Sequence, residues 1–338
     1  MDKIRIVCIG CWAGHSKEFA RAVKENPECE LVGVWDEDET AGRAWAEEEG
    51  VPFVTDIYEL LRSDRVDAVS VTCGTAKHAP YLIEAAKNGK HIFVEKALAA
   101  TNEDAYAIRE AVKKNNVHFT MTDPVFRGGL RYIKKLADEG TFGELTSARY
   151  RTLNDRLLIG KSLETLYDKK ENGGGCMIDM GHHCVHVLSW FLGKPVRARA
   201  LGVPWTRKGK EEAVEELSAA IYEFENKAIG IAESGWLGPK YQFEFNLYGT
   251  KGCACAFRRD DEDEKLMVRY HLEDGQWTDV PEELLEEDFM SAMDYWINSI
   301  KNDTENTMYG IDEAVRLTEM VVAGYASDQQ ECRQSFTI

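Results

Sequence analysis

The sequence predicts an α/β chain of two unlike domains: a doubly wound parallel sheet over residues 1–122, then an α+β domain over 123–338 with a large, open, mostly antiparallel sheet. Three observations predict it. Over the first ~120 residues, short apolar runs alternate with amphipathic stretches. Beyond residue 123 that alternation gives way to a series of strand-length runs separated by hairpin-like turns. Finally, 338 residues exceed one average domain of about 100–200 residues and suit two.

In the first domain, the runs KIRIVCI, LVGVW, DAVSVT, HIFVE and VHFTM read as strands, with helices at 16–24, 41–49, 80–88 and 103–115 between them. Strand, helix and strand in this order form right-handed crossovers that bury a parallel sheet between helices. In the second domain, helices are expected at 129–139 and 176–192 on either side of a strand at 145–152. Further strands follow at 196–205, 218–224, 228–236, 241–248, 253–257 and 266–272, with turns at Glu225-Asn226-Lys227 and 249–252. The acidic run 260–264 reads as a solvated loop. Helices at 286–301 and 311–327 close the chain, the last of them free to pack back on the first domain.

A hydrophobic fraction of 44% and a charged fraction of 30%, without repeats or low-complexity tracts, describe a folded chain with a sizeable core. The 59 acidic residues outnumber the 41 basic ones, for a net charge of −18, so nucleic acid and anionic membranes are poor partners. The N-terminus lacks the pattern of a signal peptide, and no run approaches the ~18 apolar residues of a membrane span. A cytoplasmic address is expected. The nine cysteines are scattered without metal-ligand spacing. Cys8 and Cys11 form a Cys-x-x-Cys, but Cys8 lies in an apolar strand run, where cysteine acts as a small hydrophobe.

The first strand runs into Gly10-Cys11-Trp12-Ala13-Gly14-His15, and a helix follows, which is where a dinucleotide fold places its tight turn. Gly10 alone matches the G-x-G-x-x-G pattern; Trp12 and His15 stand at its second and third glycines. The second strand ends at Asp36, placed to accept hydrogen bonds from the adenosine ribose hydroxyls. A carboxylate there repels a 2′-phosphate and favours NAD over NADP, a preference tempered by nearby Arg43. The alternative for Asp36 is a surface residue capping the next helix.

The HIFVE strand emerges at Glu95-Lys96, on the sheet edge where open α/β folds bind ligands. An ammonium there can hold a substrate hydroxyl and exchange its proton; the plainer reading is an exposed lysine paired with Glu95. Downstream, Gly173-Gly174-Gly175 opens a helix on which Asp179 and His183 are four residues apart, so the carboxylate can orient the imidazole. His182 and His186 form a second such pair. No third ligand is suggested by spacing, and no metal is expected.

Taken in order, these segments resemble the glucose-fructose oxidoreductase, inositol dehydrogenase and rhizopine catabolism (Gfo/Idh/MocA) family across nearly the whole chain. The resemblance rests on IVCIGCWAGH with Asp36, on the stretch from His78 through GKHIFVEK, and on GGGCMIDMGHHCVHVLSWFLG. The family's Glu-Lys-Pro is Glu95-Lys96-Ala97 here, and the last acid of its Asp-x-Gly-x-His-x-x-Asp is His186. The resemblance implies a catalytic set of Lys96, Asp179 and His183. It also implies cofactor contacts at Gly10, Trp12, Ala13, Asp36, Thr72, His78, Glu95 and Lys96, and a second-domain sheet that builds homodimers or homotetramers. Arg127, Arg156, Tyr167 and His182 are candidate substrate contacts. The expected activity is hydride transfer between NAD and a secondary hydroxyl or ketone of a sugar, cyclitol or polyol. Two alternatives stay open: a redox-neutral lyase, epimerase or glycosidase that oxidises its substrate transiently with tightly held NAD, and a non-catalytic NAD-binding regulator.

Overall fold

The structure of the chain is a computed structural model that describes residues 3–12, 14–122, 128–159, 164–210, 213–238, 242–258, 266–272, 275–285, 290–304 and 310–329. Ala13, Arg127 and the acidic run 260–264 lie outside the described residues. The chain forms two compact units. One comprises 1–123, 168–173 and 289–318; the other comprises 124–167, 174–288 and 319–338. Among the described residues, no helix is long and apolar enough to cross a membrane.

The first unit contains β1 (Ile4–Ile9), α1 (Ser16–Glu25), β2 (Cys29–Trp35), α2 (Glu39–Glu49), α3 (Ile57–Leu61), β3 (Ala68–Val71), α4 (His78–Lys87), β4 (His91–Val94), α5 (Asn102–Asn115) and β5 (Phe119–Met121). The strands form one parallel sheet in the order β2-β1-β3-β4-β5. Phe53 adds a single parallel bridge to Val34 beside β2. If that bridge is counted as a strand, the chain order reads third, second, first, fourth, fifth, sixth, which is the doubly wound order of dinucleotide-binding sheets.

All five expected strands are present, and α2 starts two residues early because Asp38 caps it, accepting from the amides of Thr40 at 2.9 Å and Ala41 at 3.1 Å. β3 is buried along its whole length, as a strand covered on both faces must be. Phe19, Ala20 and Val23 of α1 join Ile6 and Phe93 in the core. Helices α8 (Lys169–Asn172) and α11 (Ala292–Asn302) also belong to this unit, and Met293, Trp296 and Ile297 of α11 enter the same core. The expected helix at 286–301 starts at Ala292 because Ser291 caps it through the Asp294 amide.

The second unit contains α6 (Gly128–Asp138), β6 (Leu145–Leu153), α7 (Glu164–Tyr167), α9 (Cys176–Asp179), α10 (Gly181–Leu192), β7 (Pro195–Val203), β8 (Leu217–Phe224), β9 (Ile229–Gly235), β10 (Gln242–Gly249), β11 (Gly252–Arg258), β12 (Leu266–Leu272) and β13 (Thr278–Asp279). The sheet is open and mostly antiparallel, ordered β13-β12-β11-β10-β6-β9-β8-β7, with β6 and β9 its parallel pair. On one face Ala220, Tyr222 and Phe224 of β8 are buried, while Ala219 and Ile221, which alternate with them, point outward. The buried face is covered by α10, in which every residue but Trp190 is buried. Helix α12 (Ile311–Gln329) divides between the units after Thr318; its second half reaches this sheet through a bond from the Tyr222 hydroxyl to the Met320 carbonyl at 3.0 Å.

Candidate functional site

The candidate residues fall into two groups, one in each unit. In the first unit, Gly10 turns the chain between β1 and α1 with φ +87°, and a Cβ there would lie 2.4 Å from the Cys73 backbone nitrogen. Only glycine tolerates both conditions. Thr72 supports the turn by donating its hydroxyl to the Gly10 carbonyl. Asp36 supports it from the other side: one carboxylate oxygen accepts from the Cys11 amide at 2.7 Å and the other from the Asp38 amide at 2.8 Å.

His15 sits at the start of α1 and makes no side-chain cap. Its Nδ1 instead lies 3.3 Å from a carboxylate oxygen of buried Glu95, and this bond raises the pKa of the imidazole. The expected partner of Lys96 is thus engaged with His15. Burial pushes the Cys8 thiol up to about 12, and burial together with Asp36 pushes Cys11 up to about 12, so neither has the thiolate character of a redox pair.

His78 departs from expectation. It is wholly buried, with Nδ1 3.1 Å from the Leu98 carbonyl and Nε2 3.1 Å from the Cys73 carbonyl. Burial lowers its pKa. The ring lies between the loop after β3 and the loop that carries Lys96, and its single N–H in the neutral form donates to one of the two carbonyls. The peptide between Lys96 and Ala97 is cis.

The turn suits a bound dinucleotide on two counts. Among the described residues, the Trp12 indole nitrogen is buried without a hydrogen-bond partner, and no atom lies within 4 Å of where a Cβ on Gly14 would stand. A diphosphate supplies acceptors for such a donor, and a helix start is where its charge is favoured.

In the second unit, the single helix expected at 176–192 is two helices broken at Met180. Asp179 ends α9, and His183 lies in the first turn of α10. One Asp179 oxygen accepts from the Trp236 indole nitrogen at 2.8 Å and lies 3.6 Å from the Arg156 guanidinium. Trp236 and Arg156 therefore help to hold this carboxylate.

His183 is 9% exposed, whereas His182 is fully buried and His186 is 2% exposed. The His182 ring lies 6.3 Å from that of His183 and 6.4 Å from that of His186. Among the described residues, no cluster of three metal-ligating side chains occurs. Tyr167 donates to Glu216 at 2.6 Å, meets Trp236 edge-on at 5.7 Å, and carries the Arg207 guanidinium 3.5 Å over its ring. Trp236, Glu216 and Arg207 were missed from the sequence because no local motif contains them.

Residues 4–122 match the family described as "Oxidoreductase family, NAD-binding Rossmann fold", and 130–255 match the "GFO/IDH/MocA C-terminal domain". The chain belongs to the Gfo/Idh/MocA oxidoreductase family. A D-xylose dehydrogenase of Paenarthrobacter nicotinovorans is 32% identical over 221 residues, covering 60% of this chain and 57% of that one. An uncharacterized oxidoreductase of Streptococcus pneumoniae is 33% identical over 249 residues, covering 72% and 65%. The chain spans less than two thirds of the length of these two curated relatives. Among solved structures, a levoglucosan dehydrogenase with NADH and levoglucosan superposes with a TM-score of 0.81 at 19% identity, covering 97% of this chain and 98% of that one, a likeness of fold.

Proposed function

We propose that this Gfo/Idh/MocA chain is an NAD-dependent dehydrogenase acting on a secondary hydroxyl or ketone of a sugar, cyclitol or related polyol. The observation that carries the reading is the Asp179 carboxylate, fixed by Trp236 one turn before His183, which is 9% exposed. The named substrates of the relatives, xylose and levoglucosan, support the substrate class.

Nicotinamide, when bound, supplies the hydride acceptor or donor, and the protein manages position and protons. Gly10, Trp12 and the start of α1 would hold the diphosphate, and Asp36 the adenosine ribose. His183 takes the proton from the substrate hydroxyl, Asp179 stabilises the charge that develops on the imidazole, and Lys96 holds the substrate oxygen. Arg156, beside Asp179, is the substrate contact best supported, with Tyr167 behind it. Three consecutive acids, Asp36, Glu37 and Asp38, disfavour a 2′-phosphate, and Arg43 is engaged with Glu39 and the Phe53 ring. Titration with both cofactors should give tighter binding of NAD than of NADP.

Lys96→Ala should lower kcat by about a hundredfold while leaving the Kd for NAD within about twofold. Steady-state assays on a sugar and cyclitol panel, with cofactor fluorescence titration, test this; unchanged turnover removes Lys96 from the chemistry. All described cysteines are free thiols, which suits a reducing cytoplasm. The outward face of the large sheet supports a homo-oligomer.

A further inference from the structure

The helix that ends in Asp179 is four residues long, too short to hold its own position. A helix start leaves four backbone amides without intrahelical partners. Here two side chains from distant parts of the same unit, with one backbone carbonyl, satisfy four successive amides. Glu215 Oε1 accepts from Gly175 N at 3.1 Å and Met177 N at 2.9 Å, and the Glu215 carbonyl accepts from Cys176 N at 2.9 Å. The Tyr325 hydroxyl accepts from Ile178 N at 3.2 Å and donates to Glu215 Oε1 at 2.7 Å, closing the network.

The glycines before α9 are what admit this clamp. A Cβ on Gly174 would lie 2.2 Å from the Tyr325 hydroxyl, and one on Gly175 would lie 2.1 Å from the Glu215 carbonyl oxygen. Burial raises the Glu215 pKa, and the bonds from Tyr325 and the α9 amides oppose that rise. Asp179 follows directly on Ile178, the last of the four amides held.

We infer that Glu215 and Tyr325 are positioning residues, acting through α9 to set the Asp179 carboxylate and the His183 imidazole one turn later. This rests on the proposed dehydrogenase chemistry, but it also has a signature independent of turnover. The Trp236 indole donates to Asp179, so displacement of Asp179 changes the environment of that ring.

The test uses the full chain labelled with 5-fluorotryptophan, the Trp236 resonance being assigned with Trp236→Phe, and compares Glu215→Ala, Glu215→Gln and Tyr325→Phe. Glutamine keeps an acceptor oxygen for the α9 amides; alanine does not. The expected result is a shifted Trp236 fluorine resonance and an about tenfold lower kcat in Glu215→Ala and Tyr325→Phe, with the Kd for NAD unchanged and the glutamine variant restored toward wild type. If Glu215→Ala fails to fold, Tyr325→Phe against Glu215→Gln decides. Should the wild-type chain turn over nothing on the panel, the dehydrogenase reading falls, while a shifted resonance in the two disruptive variants and its recovery in glutamine still support the clamp. An unmoved resonance with unchanged kcat overturns it. Equal losses in the alanine and glutamine variants, without a resonance shift, also overturn it.

Discussion

At the scale of single residues, two glycines of the cofactor turn face opposite constraints, and the contrast is testable. Gly10 has φ +87° with Cys73 backbone against it, while Gly14 has open space around its Cα. Gly10→Ala should cost at least about 2 kcal/mol and weaken NAD binding, because both the dihedral and the contact must give way. Gly14→Ala should leave the melting temperature within about a degree of wild type. Thermal melts of the two variants side by side check this; equal losses would mean the turn is not held as described. The same scale shows what was legible in the sequence. Gly10, Lys96, Asp179 and His183 are marked by neighbours a few residues away, at strand ends or at helical spacing. Glu215, Trp236 and Tyr325 act on the α9 segment across separations of 38, 57 and 147 residues, and pattern reading carries no signal over such distances. His78 misled for a related reason: a histidine beside a ligand loop looks the same in sequence whether its ring faces the ligand or two carbonyls.

At the scale of elements, strands and helices were read closely wherever apolar periodicity was strong, and the departures have local causes. Caps moved two helix starts, Met180 broke one helix, and the Phe53 bridge beside β2 went unread because a single residue shows no alternation. The amino ends of β4 and β5 carry a pair of histidines with a consequence for stability. His91 Nδ1 accepts from the His118 amide at 3.0 Å, and the two rings lie 5.0 Å apart. Burial first, then the His118 charge, depress His91 to about 4, against weaker opposing attraction from Asp67 and Asp303. The unfolded chain takes up this proton near pH 6.5 and the folded chain only near 4, so the unfolded state binds more protons in between. Stability is therefore lost as pH falls through that window. His91→Asn keeps an acceptor for the His118 amide but cannot titrate. Its melting temperature should fall less than that of the wild type between pH 7 and pH 5, and parallel curves would remove His91 from the acid response.

At the scale of the whole molecule, the outward face of the large sheet is what a lone chain would find hardest to leave in water. Cross-strand register lines up Leu201 on β7, Ile221 on β8, Ile231 on β9, and Tyr248, Cys253, Phe257 and Met267 on the far strands, all on that face. Leu201 is 62% exposed, Ile221 49%, Tyr248 49% and Met267 48%. Some of the charge among them is paired within the face, Arg149 with Glu233 and Arg197 with Glu223, which lowers the charge that opposes a second copy. An apolar face with partly paired charge is suited to a symmetric contact, in which each chain presents the same strands to the other. Wild-type protein should therefore sediment as a dimer or larger assembly at micromolar concentration. Ile221→Glu and Leu201→Glu would each place an unpaired carboxylate in that contact and should shift the distribution toward single chains, while NAD binding persists because the cofactor turn lies in the other unit. A wild-type chain that sediments alone at every concentration would assign this face to a different partner.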